Sequence, residues 1–131
     1  MIDEPLYNDI TSKIIGACYE VHNFFGNGFQ EVIYQRALSW EFDQADLSFS
    51  REIEQDIYYK QLSEPIGTRR ADFVVENKIL VEIKAVSQLD DVHKAQVLNY
   101  LKAYKLELGL LINFGSKSLQ IKRLILTNQK K

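Results

Sequence analysis

Apolar residues recur at three- and four-residue steps through Ile10, Ile14, Ala17, Val21 and Phe24, which predicts a helix over about residues 7–25. Gly26-Asn27-Gly28 ends it, because these residues tolerate the positive φ of a helix terminus. A second helix is expected over about 30–45, with Ile33, Ala37, Trp40 and Phe42 on its apolar side. Residues 49–53 and 56–59 read as extended chain, and 63–67 as a loop. Two strands follow at about 68–75 and 79–85, joined tightly through Glu76-Asn77-Lys78. A helix over about 90–106 comes next, with Ser87 or Asp90 as candidate caps. Two β-rich runs, 108–114 and 119–126, close the pattern around a turn at 115–118. The predicted order is ααβββαββ. The run from Gly109 to Asn113 lacks alternation, as expected of a central strand covered on both faces.

The hairpin of residues 69–84 carries the most information. Successive strand side chains point to opposite faces. One face should therefore carry Ala71, Phe73, Val75, Ile79, Val81 and Ile83, all apolar. The other carries Arg70, Asp72, Val74, Leu80, Glu82 and Lys84. Only a loop of odd length keeps the apolar residues of both strands together. With a three-residue loop, Asp72 faces Glu82 and Arg70 faces Lys84. Opposed Cβ atoms lie ~4.5–5.5 Å apart, where like charges repel. A carboxylate pair so placed in a partly buried ribbon needs a cation or a shared proton, and a hard divalent ion held by oxygen ligands supplies the first. The competing reading is a solvated sheet face on which Asp72 pairs with Arg70 and Glu82 with Lys84. Val74 and Leu80 on the same face argue that it is covered.

On the helix that follows, Lys94, Lys102 and Lys105 cluster on one side. The opposite arc holds Val92, Ala103, Tyr104 and Leu106, with Gln96 and Tyr100 stacked near its middle. A glutamine in an apolar arc must find hydrogen-bond partners or cost about 1–3 kcal/mol. Gln96 and Tyr100 therefore read either as a satisfied core amide with a half-buried tyrosine or as groups lining the pocket of the acidic pair.

Composition narrows the class. With 131 residues, 46% hydrophobic and 26% charged, the chain is expected to fold as one domain spanning 1–131 and is too apolar for disorder. No apolar run approaches the ~20 residues of a bilayer span. Cys18 cannot form an internal disulfide, so a reducing, cytoplasmic setting without membrane contact is the expectation. Cys18 itself reads as a small core residue, and His22 and His93 lie in no metal-ligand spacing. The net charge of −2 hides an asymmetry. Residues 1–91 carry 8 Lys/Arg against 17 Asp/Glu, whereas 92–131 carry 8 against Glu107 alone. Lys117, Lys122 and Arg123 could guide a polyanion, or simply solvate a strand.

Asp72 followed by Glu82-Ile83-Lys84 on a hairpin resembles the Asp…Glu-x-Lys pattern of the PD-(D/E)XK nuclease superfamily, and Ala71 stands where that name expects proline. Gln96 to Tyr100 resembles the Gln-x-x-x-Tyr helix of one of its branches. The segment Gly28-Phe29-Gln30-Glu31-Val32-Ile33-Tyr34 resembles the Gly-x-x-Glu-x-x-Tyr signature of the GxxExxY proteins, a group similar to these nucleases. The resemblance runs from about residue 10 to 126.

It implies an α/β (α+β) restriction-endonuclease-like core, αβββαβ, with a central mixed sheet flanked by helices. It further implies a Mg2+-dependent (or Mn2+-dependent) nuclease cutting DNA or RNA phosphodiesters. Asp72, Glu82 and Lys84 would be catalytic, and Glu31, Asp72, Glu82 and the Ile83 carbonyl would hold metal. Gln96, Tyr100, Arg70 and Tyr34 would bind substrate or support the site. Nucleic acid, DNA before RNA, is the implied partner, and so short a chain suggests a homodimer or partner protein for specificity. A noncatalytic nucleic-acid-binding or protein-interaction module that keeps the fold is the alternative. A third reading is a structural domain whose acidic pair only forms salt bridges.

Overall fold

A computed structural model describes residues 7–127. Its helices are α1 (Asn8–Phe25), α2 (Glu31–Gln44) and α3 (Asp91–Tyr104), and its strands β1 (Phe49–Ile57), β2 (Gly67–Val75), β3 (Ile79–Lys84), β4 (Leu108–Asn113) and β5 (Gln120–Ile125). The strands form one mixed sheet in the order β1-β2-β3-β4-β5, with β3 and β4 parallel and the other pairs antiparallel. The parallel pair is joined by the crossover through α3, as parallel strands require. The two extended pieces expected before residue 60 are one continuous strand, β1.

Helices α1 and α2 cover one face of the sheet over a core that includes Ile14, Val21, Tyr34, Phe42, Phe73, Val81 and Ile112. Helix α3 covers the other over Leu80, Val97, Leu101 and Leu111. All six residues of β4 are buried, so its unbroken apolar run is that of a strand covered on both sides. Cys18 is a fully buried core residue. Asp90 caps α3, accepting from the amides of Val92 and His93 at 3.0 and 3.3 Å while its own amide donates to Nδ1 of His93. Gly115 is required by a close approach, since a Cβ there would collide with the Ala85–Val86 backbone.

Three expectations about faces are corrected. Phe24 and Trp40 are 82% and 60% exposed, because the stripes that meet the sheet are Ile14, Ala17, Cys18 and Val21 on α1 and Tyr34, Gln35, Leu38 and Phe42 on α2. On α3 the inward positions are Val97 and Leu101; Gln96 is exposed, and so is Val92. The helix is turned away from the arc expected because Val97 and Leu101 pack against Gly109 of β4, whose lack of a side chain admits them. Finally, Ala71 packs under α3 rather than with Phe73, so the alternation of β2 breaks between them, at Asp72. Opposite this break Glu52 of β1 adopts a φ of 50°, and the β1–β2 pairing skips the Glu52–Asp72 position.

Candidate active site

The register of β2 and β3 is the one the three-residue loop dictates: Val75 pairs with Ile79, Val74 with Leu80 and Phe73 with Val81. The pairing ends there. β3 continues alongside β4 as far as Lys84, whereas β2 leaves it after Phe73. In the gap, side chains take the place of the ladder. The amide of Asp72 donates to Oε2 of Glu82 at 2.9 Å, and the amide of Ile83 donates to Oδ2 of Asp72 at 2.8 Å. Each carboxylate thus accepts from a main-chain amide of the opposite strand.

Glu82 is 6% exposed and Asp72 half-buried. Burial pushes the carboxyl of Glu82 up to about 8, with the nearby charge of Asp72 as the second cause. Burial likewise lifts Asp72 to about 6, against the opposing pull of the Ile83 amide. Lys84, beside the pair at the end of β3, favours the charged form of both. Glu31, exposed in the first turn of α2, adds negative field to both. Among the described residues no three His, Cys, Asp or Glu side chains are drawn together tightly enough to form a ready cluster. Two facing carboxylates with raised proton affinity form an oxygen donor pair. That chemistry suits a hard divalent cation.

The remaining sequence candidates fall in different places. Tyr100 lies close enough to feel both acids, its hydroxyl held above the ordinary tyrosine range first by burial and then by Glu82. Its ring carries the guanidinium of Arg69 at 5.2 Å and meets Tyr104 edge-on at 6.4 Å. Gln96, one turn earlier, is exposed. Arg70 does not stand opposite Lys84; it lies beside Glu54 of β1 and pairs with Glu52 and Glu54 at 3.6 and 3.9 Å. Tyr34 is fully buried. Its hydroxyl donates to the Gly26 carbonyl at 2.6 Å and accepts from the Phe29 amide at 3.2 Å, while its ring stacks on Phe114. It shapes the turn that leads into Glu31.

Sequence reasoning missed Gln35. Buried on α2, it donates from Nε2 to Oδ1 of Asp72 at 2.7 Å and accepts at Oε1 from Arg51 of β1 at 3.4 Å. The available signal was its place one turn after Glu31, on the stripe of α2 that packs inward.

A five-stranded mixed sheet between helical layers, with an acidic pair and a lysine where two strands part, defines an α+β domain of the restriction-endonuclease-like class. A family model of the PD-(D/E)XK nuclease superfamily matches residues 8–124, and the chain belongs to that superfamily. Its nucleases generally use divalent metal ions, and membership implies a nucleic-acid substrate. Searches of curated proteins and of solved structures each found no match. No helix of the described residues is long and apolar enough to cross a membrane.

Proposed function

We propose that the protein is a Mg2+- or Mn2+-dependent nuclease that hydrolyses phosphodiester bonds of DNA or RNA, of the GxxExxY type. The observation that carries this reading is the exchange of amides and carboxylates between Asp72 and Ile83 and between Glu82 and Asp72. It holds two acids together although burial and mutual repulsion oppose their charge.

In this reading Asp72 and Glu82 hold the cation, with the Ile83 carbonyl and Glu31 as further oxygen donors. The bound cation supplies positive charge at a phosphoryl oxygen and activates water. Lys84 places a second positive charge beside the scissile phosphate, where it offsets the negative charge that develops on the oxygens. In this reading Lys84 acts by electrostatics and not as a base. Tyr100, backed by Arg69, offers a hydroxyl on the α3 side of the acidic pair.

The test is hydrolysis of single- and double-stranded DNA and RNA with Mg2+ or Mn2+, comparing wild type with Glu82→Ala and Lys84→Ala. Cleavage by wild type alone is expected. Intact substrates under every condition overturn the proposal in favour of a noncatalytic module.

A further inference from the structure

Asp72 is bound from two directions, and only one of them belongs to the hairpin. The Ile83 amide holds Oδ2 from within the sheet, while Oδ1 is held by Gln35, which α2 delivers from the helical layer. Gln35 is itself fixed. An arginine can only donate, so the 3.4 Å contact from Arg51 Nη2 turns the carbonyl oxygen of Gln35 toward β1 and its NH2 group toward Asp72. Arg51 is in turn placed by the sheet: it pairs with Phe73 in the register, lies over the Phe73 ring at 5.8 Å, and meets Glu52 at 3.7 Å. The donor direction therefore runs one way, from Arg51 through the Gln35 amide to the Asp72 carboxylate.

We infer that Arg51 and Gln35 form a relay that positions Asp72 for the cation, with Gln35 the positioning residue and Arg51 setting the polarity of its amide. The inference rests on the nuclease reading. A relay through a neutral amide suits this site better than an arginine placed directly on Asp72. A guanidinium in contact would form an ion pair and compete with the cation for the same oxygens. The amide donates one hydrogen bond, leaves the carboxylate its charge, and keeps the arginine one residue away. It also ties the metal site to the packing of α2 on the sheet, because Gln35 lies between the core residues Tyr34 and Leu38.

The test is Mn2+ binding by calorimetry, together with the side-chain amide signal of Gln35 in the metal-free protein by NMR. Gln35→Met keeps length and volume and removes the donor. It is expected to weaken Mn2+ binding about 10- to 100-fold, the usual cost of losing a partner that orients a metal ligand. Arg51→Met is expected to lower affinity in the same direction and to shift the Gln35 amide signal. The double variant should lose no more than the weaker-binding single variant, since both act through one chain. Arg36→Met, on the exposed side of α2, serves as the control and should bind as wild type does. Unchanged affinity in Gln35→Met, with binding abolished in Glu82→Ala, overturns the relay and leaves the nuclease reading standing. Should Gln35→Met not fold, an Arg51→Met protein with unmoved affinity and an unmoved Gln35 signal overturns it equally. Wild-type protein that binds no Mn2+ removes the nuclease reading and the relay with it.

Discussion

The backbone amide of Asp72 donates to the carboxylate of Glu82 at 2.9 Å, across a point where β2 and β3 no longer pair as strands. An acid buried to this degree keeps its place because the opposite strand supplies the amide it needs. Glu82→Ala removes that acceptor and, in the nuclease reading, a cation ligand together. In the wild type, Mn2+ at a hundred times its Kd should stabilise the fold by about 2.7 kcal/mol. Thermal melts with and without Mn2+ should show this rise in wild type and none in Glu82→Ala.

Metal-free stability should fall as pH rises. Asp72 and Glu82 hold their protons to about pH 6 and 8 in the folded chain, above the ordinary carboxylate range near 4. Groups with a raised folded-state pKa contribute fully below their unfolded value, and that contribution is lost as pH climbs through the folded one. Melting temperature without metal is therefore expected to drop between pH 5 and 9, on the order of 5 °C. Glu82→Gln, permanently neutral, should flatten most of the decline above pH 6. A wild-type profile that rises over this interval would contradict the burial argument. The rise in melting temperature caused by Mn2+ should follow the opposite trend and grow with pH, since the ion competes with those protons.

Lys84→Met should separate charge on the phosphate from metal retention. Removing a group that offsets transition-state charge costs roughly 10²- to 10³-fold in kcat. Mn2+ affinity should stay within a few-fold of wild type, read by calorimetry on the same preparation. Equal losses in both would assign Lys84 to the metal site instead.

Tyr34→Phe is expected to harm stability rather than chemistry. The lost hydroxyl leaves the Gly26 carbonyl and the Phe29 amide without their shared partner, which costs about 1–3 kcal/mol. Urea unfolding should show the loss, while kcat of the folded fraction stays near wild type. A large fall in kcat would mean that Tyr34 reaches the ligand after all.

Much of this site could be read from residue order alone, because its two acids lie ten positions apart on one hairpin. A short loop and strict apolar alternation are enough to bring them face to face. Gln35 escaped notice because its partner Asp72 lies 37 positions away, and only the docking of α2 brings the two together. Ala71 lies on the face opposite to the one alternation predicts, because alternation assumes a regular strand, and the positive φ of Glu52 together with the skipped pair at Asp72 breaks that regularity. The sequence pattern misplaces Gln96 because α3 is only weakly amphipathic. With few apolar residues to orient it, the gap left by Gly109 decides which side faces in.

The connection between β2 and β3 consists of Glu76, Asn77 and Lys78, and the first two of these adopt left-handed backbone conformations. Their identities touch neither carboxylate, yet their number decides whether the carboxylates meet. With the three-residue loop geometry kept, one added residue would turn every later side chain of β3 to the reverse side, sending Glu82 into the layer beneath α1 and α2 and bringing the present Val81 opposite Asp72. Substitutions within the turn leave that spacing intact, whereas a single insertion or deletion carried into the register would part the two acids without altering either of them.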